Sequence, residues 1–160
     1  MKNELIKFFI KIGITAGIIF VVIHFFLGFH IYHGNNMAPW LKDGDLIIVN
    51  KQPKIYSDIV VTYKVGEDLH YGRIIGVSGD EINIDSEKHY TINGSIPLEK
   101  VYYDTYTDNS SIEFPVTVGN NQVFVLNDMR EDLRDSRTFG CIDISDIEGS
   151  VIFSVSRRGF

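Results

Sequence analysis

The sequence predicts an all-β domain of antiparallel strands carried behind one N-terminal membrane helix. Three observations carry that prediction. Ile12 to Phe29 holds 18 residues with no formal charge. After it the pattern changes to short runs rich in β-branched residues, each bounded by Gly, Asp, Asn or Pro. Finally, Tyr90-Thr91-Ile92-Asn93-Gly94-Ser95-Ile96 is a hairpin signal, because Asn-Gly suits the two positive φ angles of a type I′ turn.

The anchor, residues 1–29, comes first. At about 1.5 Å per residue its uncharged part spans roughly 27 Å as a helix, close to the hydrocarbon thickness of a bilayer. A cleavable secretory signal would be shorter and end at a small-x-small site; Leu27-Gly28-Phe29-His30-Ile31-Tyr32 offers none. Lys2, Lys7 and Lys11 face only Glu4 here, so the N-terminus is expected inside and residues 30–160 outside. His24 within the span reads as neutral and incidental.

The chain's net charge of −6 therefore arises beyond the anchor. An acidic domain is a poor partner for nucleic acid, whose phosphates need clustered Lys and Arg. One cysteine, Cys141, allows neither an internal disulfide nor a cysteine-based zinc cage, and His30 with His33 lacks a third ligand nearby. No metal and no cofactor is expected.

Strands are expected at 46–49, 59–63, 73–75, 123–126 and 151–155, and the alternation of Glu81 to Asp85 suits a half-exposed one. Residues 83–121 are polar and rich in tyrosine (Tyr102, Tyr103, Tyr106), and read as an inserted cap.

Four ordered segments carry a family resemblance. They are Gly34-Asn35-Asn36-Met37-Ala38-Pro39-Trp40-Leu41 with Gly44-Asp45, Val49 and Lys51; Asp58-Ile59-Val60-Val61; Tyr71-Gly72-Arg73-Ile74-Ile75-Gly76-Val77-Ser78-Gly79-Asp80; and Leu126-Asn127-Asp128-Met129-Arg130 with Asp135-Ser136-Arg137-Thr138-Phe139-Gly140. Together with the membrane helix they resemble the type I signal peptidases of Gram-positive type, over nearly the whole chain. The resemblance implies a signal-peptidase-like antiparallel β core. It also implies a catalytic serine immediately before Met37, where this chain has Asn36. The lysine base of the family falls immediately before Arg73, at Gly72, and a serine that holds that lysine falls at Leu133. Asp128, Arg130, Asp135 and Arg137 are implied as structural ion-pairing residues.

The chemistry follows from residue types. A serine–lysine mechanism needs a hydroxyl and a neutral amine within about 3 Å of it. Asparagine is a very poor nucleophile, and glycine has no side chain. Loss of nucleophile or base from a serine hydrolase costs on the order of 10⁶ in turnover, about 8 kcal/mol of barrier. Three substitutes are weaker readings. Asn36 could cyclise, but it has no evident base. His70 shares a strand face with Gly72, yet no serine stands in the first segment. Asp128 and Asp135 could share a proton, but they read as partners of arginines.

A groove can outlast its catalytic groups. In the family an extended substrate lies beside strands flanking the catalytic residues, so Asn36, Met37, Asp58, Ile59, Val60, Val61 and Gly72 are expected to wall a peptide groove. Trp40 reads either as packing or as an interfacial anchor. The expected function is a membrane-anchored, non-cleaving peptide-binding or assembly factor for exported polypeptides. The resemblance to inactive Gram-positive homologues suggests pilus subunits among them. The alternative is an active signal peptidase with an unrecognised nucleophile.

Overall fold

The computed structural model describes residues 2–85, 87–97, 103–107 and 110–156; Tyr102 lies outside them. The chain begins with α1 (Lys2–Phe26). Its segment Leu5–Phe26 has a mean hydropathy of 2.3 and buries nothing against the rest of the protein. It is long and apolar enough to cross a bilayer, where a helix satisfies its own backbone. The helix stops because its last carbonyls are taken: the Lys51 N–H donates to Phe26 O (2.9 Å) and Lys51 Nζ to His24 O (3.0 Å).

The strands are β1 (Leu27–Ile31), β2 (Leu46–Asn50), β3 (Val60–Val65), β4 (Asp68–Val77), β5 (Glu81–Ile84), β6 (Tyr90–Ile92), β7 (Val116–Thr117), β8 (Gln122–Leu126), β9 (Ile142–Asp143) and β10 (Ile147–Val155). One helical turn, α2 (Ser136–Phe139), lies between β8 and β9. The large sheet has the order β1-β2-β10-β3-β4-β8-β9 and the small one β6-β5-β7, all pairings antiparallel. This is the all-β architecture expected. Two boundaries differ. Leu27-Gly28-Phe29, assigned above to the anchor, is strand, since hydropathy is continuous across Phe26 and only pairing with β2 separates the two states. The small sheet begins at Glu81 rather than at residue 83, because Glu81 pairs with Thr117.

Burial follows the period of two. Val60 belongs to a cluster with Tyr32, Met37, Leu41, Ile47, Val49 and Tyr71, whereas Val61 packs oppositely with Tyr63, Ile74, Val123 and Val125. Phe124 and Leu126 leave β8 on its other face and join Ile75, Ile82, Ile84 and Tyr90, fastening the small sheet to the large one. The hairpin turn is as expected. Asn93 (φ 52°) and Gly94 (φ 76°) both take positive φ, and Ile92 and Ser95 exchange N–H···O bonds of 2.9 and 3.0 Å.

The loop from Leu126 to α2 has no strand to hold it, and its backbone is satisfied by buried charge. Asp135 caps α2 by accepting from Arg137 N, and its Oδ2 accepts from Asn127 N. Arg137, fully buried, meets Asp135 through Nε–Oδ1 (2.9 Å) and Nη2–Oδ2 (2.7 Å). Its three remaining protons go to the carbonyls of Tyr106 (2.9 Å), Arg130 (2.7 Å) and Asp132 (2.8 Å). Removing one partner of a buried pair leaves an uncompensated charge. Arg137→Ala is therefore expected to lower unfolding stability by ~3–5 kcal/mol, read by chemical denaturation of the full chain in detergent.

Candidate functional site

Asn36 sits on the loop between β1 and β2, half-buried, and its amide ties three segments together. Tyr32 donates its hydroxyl to Asn36 Oδ1. Asn36 Nδ2 donates to Tyr71 O on β4 (3.0 Å) and to Asn127 Oδ1 after β8 (2.8 Å). Tyr32 Oη in turn accepts from Met37 N (3.0 Å), and Met129 N donates to Asn36 O (2.9 Å). Asn127 Nδ2 reaches the carbonyls of Asp132 (2.9 Å) and Arg134 (3.3 Å), which flank Leu133. Positions 36, 72 and 133 thus surround one hydrogen-bond network. An amide suits that place because it gives two protons while its oxygen accepts a third bond; a serine hydroxyl has a single proton to give.

Gly72 is buried in the β3–β4 ladder opposite Val61. A Cβ on it would stand 2.3 Å from Val125 Cγ1, with Leu126 O and Tyr63 Cε1 each at 3.4 Å. The space that a longer side chain would need is filled by Val125 and bordered by Tyr63, and glycine is required for the close approach. Burial, with Asp135 and Asp132 nearby, pushes the Tyr63 phenol up, so it stays neutral.

Other expected site residues fall elsewhere. Met37, Val60 and Val61 are 0%, 3% and 0% exposed and wall no open groove. Their side chains pack in the core, and strand alternation buries both faces of β3. Ile59 is half-buried and packs against the cluster containing Val61. Asp58, at φ 75°, is held by Arg73, whose Nη1 meets its carbonyl (2.9 Å) and Oδ1 (3.1 Å). Asp128 also takes Arg73, at 2.8 and 2.7 Å, rather than an arginine of its own loop. Arg130 is buried with its guanidinium 5.1 Å over the Tyr90 ring. Trp40 is 44% exposed beneath the Arg73 guanidinium, at 5.7 Å. His70 lies between the rings of Tyr63 (5.6 Å) and Phe139 (5.0 Å), and burial lowers its pKa from 6.5.

One opening remains at this place. On β4, residues 68–73 pair with β3 on one side, but β8 joins the other side only from Arg73 onward. No described strand covers that second edge at 68–72. There Tyr71 turns its carbonyl to Asn36, and Leu69, two residues back, faces the same way. Tyr32, Asn127 and Val125 were not singled out from sequence. Asn127 stood inside a quoted segment, but polar contacts 91 residues apart leave no periodic signal.

A seven-stranded antiparallel sheet with a second small sheet, on a membrane-length helix, is the architecture of a signal-peptidase-type domain. The family model for signal peptidase, peptidase S26, matches residues 5–156, and the chain belongs to that family. An inactive signal peptidase IA of Staphylococcus aureus (strain COL) is 28% identical over 157 residues, 93% of this chain and 90% of the relative. A signal peptidase IB of S. aureus (strain N315) is 30% identical over 173 residues, 96% and 90% respectively. A crystal structure of a signal peptidase I from Enterococcus faecalis V583 superposes with TM-score 0.51 over 61% of this chain and 97% of that one, at 21% identity, which speaks to the fold.

Two outcomes follow. Gly72→Ala should destabilise the chain by ~1–3 kcal/mol through overpacking. Val125→Ala in the same chain should recover part of that loss; strictly additive effects in a denaturation cycle would mean that the two sites do not touch. For His70, the unfolded state binds the proton more readily, so stability should fall as pH drops below about 6.5. His70→Phe should flatten thermal midpoints measured between about pH 7 and 5.

Proposed function

We propose that this protein is a non-cleaving member of its family, tethered with its β domain outside the membrane, that holds extended segments of exported polypeptides. The observation that carries the reading is the Asn36 amide, engaged by Tyr32, Tyr71 and Asn127, beside a Gly72 already packed by Val125. Neither position offers a nucleophile or a base, and neither is empty. The similarity to a relative named inactive supports the same reading.

Binding by strand addition needs backbone donors and acceptors on an unpaired edge. The edge of β4 at 68–72 supports this, with Leu69 exposed and Tyr71 O capped by Asn36. A peptide would therefore register on Leu69 and on the Tyr71 N–H, stopping short of the Asn36 clasp. Pilus subunits are the particular clients that the family resemblance suggests. Lys7 and Lys11, in the first turns of the apolar span and near its N-terminal end, support an inside N-terminus.

The test uses the full chain in detergent with a fluorescent peptide carrying a signal-peptide cleavage site. No turnover above a protein-free blank is expected, while the peptide binds. Leu69→Pro removes an edge N–H without touching the β3 ladder, as proline is tolerated on strand edges. It should weaken binding about tenfold, the equivalent of roughly one hydrogen bond, at an unchanged thermal midpoint. Measurable cleavage sinks the non-cleaving half of the proposal; undiminished binding by the variant sinks strand addition.

A further inference from the structure

The junction between α1 and the large sheet carries a feature that peptide binding does not use. The helix runs directly from Phe26 into Leu27 with no linker, so β1 stands where the headgroup layer of a spanned bilayer lies. One face of β1, β2 and β10 is apolar and open there. Phe29 pairs across Ile48 to Phe153, and Ile31 across Leu46 to Val155, all exposed but the half-buried Ile48.

By strand alternation Gly28, His30, Val49 and Lys51 stand on the opposite side of the sheet, and two adjoining hollows open there at the junction. One, of ≈ 520 Å³, is bordered by His30, Lys51 and Glu148. The other, of ≈ 280 Å³, continues up α1 past Leu27 and Ile23 to Phe20. Gly28, Phe29 and Lys51 belong to both. Lys51 is the hinge between them. Its ammonium gives one proton to His24 O (3.0 Å), leaving two of three donors for another acceptor. The Glu148 carboxylate, the negative group at the rim, lies 2.7 Å from Lys64, which counters its charge.

We propose that this junction binds one anionic phospholipid of the bilayer that α1 crosses. An acyl chain would lie in the apolar hollow along α1, and the phosphodiester would meet Lys51 beside His30. The choice of occupant rests on continuity and charge. The apolar half runs along a helix that itself belongs in hydrocarbon, and the polar half offers an ammonium at the depth where lipid phosphates sit. A soluble phosphoester would use the second half alone.

The experiment is native mass spectrometry of the full chain released from micelles doped equally with phosphatidylglycerol and phosphatidylcholine. Phosphatidylglycerol should be retained about fivefold over phosphatidylcholine, as one basic residue at an anionic surface warrants. Lys51→Ala should erase that preference, Lys51→Arg should keep it, and Lys54→Ala, an exposed neighbour, should leave it intact. If Lys51→Ala does not fold, His30→Glu supplies the same readout by placing a negative charge at the phosphate position. Equal retention of both lipids by the unaltered chain overturns the proposal. So does a preference that survives His30→Glu, or one lost equally in Lys54→Ala. Displacement of phosphatidylglycerol by millimolar glycerol phosphate would overturn the lipid as occupant and leave a phosphoester site.

Discussion

The Arg137 guanidinium uses all five of its N–H groups inside the protein, on Asp135 and on three carbonyls drawn from two segments. The surroundings of Asn36 depend on this anchorage. The loop from Asn127 to Arg134 has almost no regular structure, and a partly buried loop without strands must satisfy its backbone by other means. Arg137 holds the carbonyls of Arg130 and Asp132, Asp135 holds the Asn127 N–H, and Asn127 is then aimed at Asn36. A buried ion pair contributes little net stability over an apolar replacement, but it allows one arrangement of its partners. Here that arrangement sets the position of a whole loop.

The region of Asn36 and Gly72 is held by specific contacts rather than left open. An active serine–lysine pair requires a hydroxyl with free access to a carbonyl and an amine kept neutral in a narrow channel. Asn36 is instead held in a three-way clasp, and Val125 with Tyr63 closes in on the space beside Gly72. Both arrangements are cohesive ones. The consequence reaches the edge of β4, where the Asn36 amide caps the Tyr71 carbonyl and shortens the stretch that an added strand can use.

The arginines show how partners are chosen. Asp128 and Arg130 are two residues apart, yet Asp128 goes to Arg73 on β4 and Arg130 is drawn over Tyr90 of the small sheet. Strand pairing brings Arg73 opposite Leu126, which delivers its side chain to the residue group just beyond β8. Arg73 then reaches back to Asp58, holding that residue in a left-handed conformation. One guanidinium joins the start of β3, the middle of β4 and the loop after β8.

Much of this was legible in the chain itself. Alternation and β-branched runs predicted β2, β3, β5, β8 and β10, and Asn93-Gly94 predicted its turn, because those signals are local and depend on a period of two. The identities at 36, 72 and 133 were likewise plain in the sequence, since absent functional groups need no fold to be absent. Tertiary structure decided the rest. Whether Leu27 to Phe29 was helix or strand depended on partners in β2, Ile48 to Asn50, and hydropathy is blind to that. Met37 and Val60 pass for groove residues by position, and only packing from both sides of the sheet buried them. That an asparagine should bind a tyrosine, a carbonyl and a second asparagine is a matter of three-dimensional coincidence, because hydrogen bonds reach about 3 Å whatever the separation along the chain.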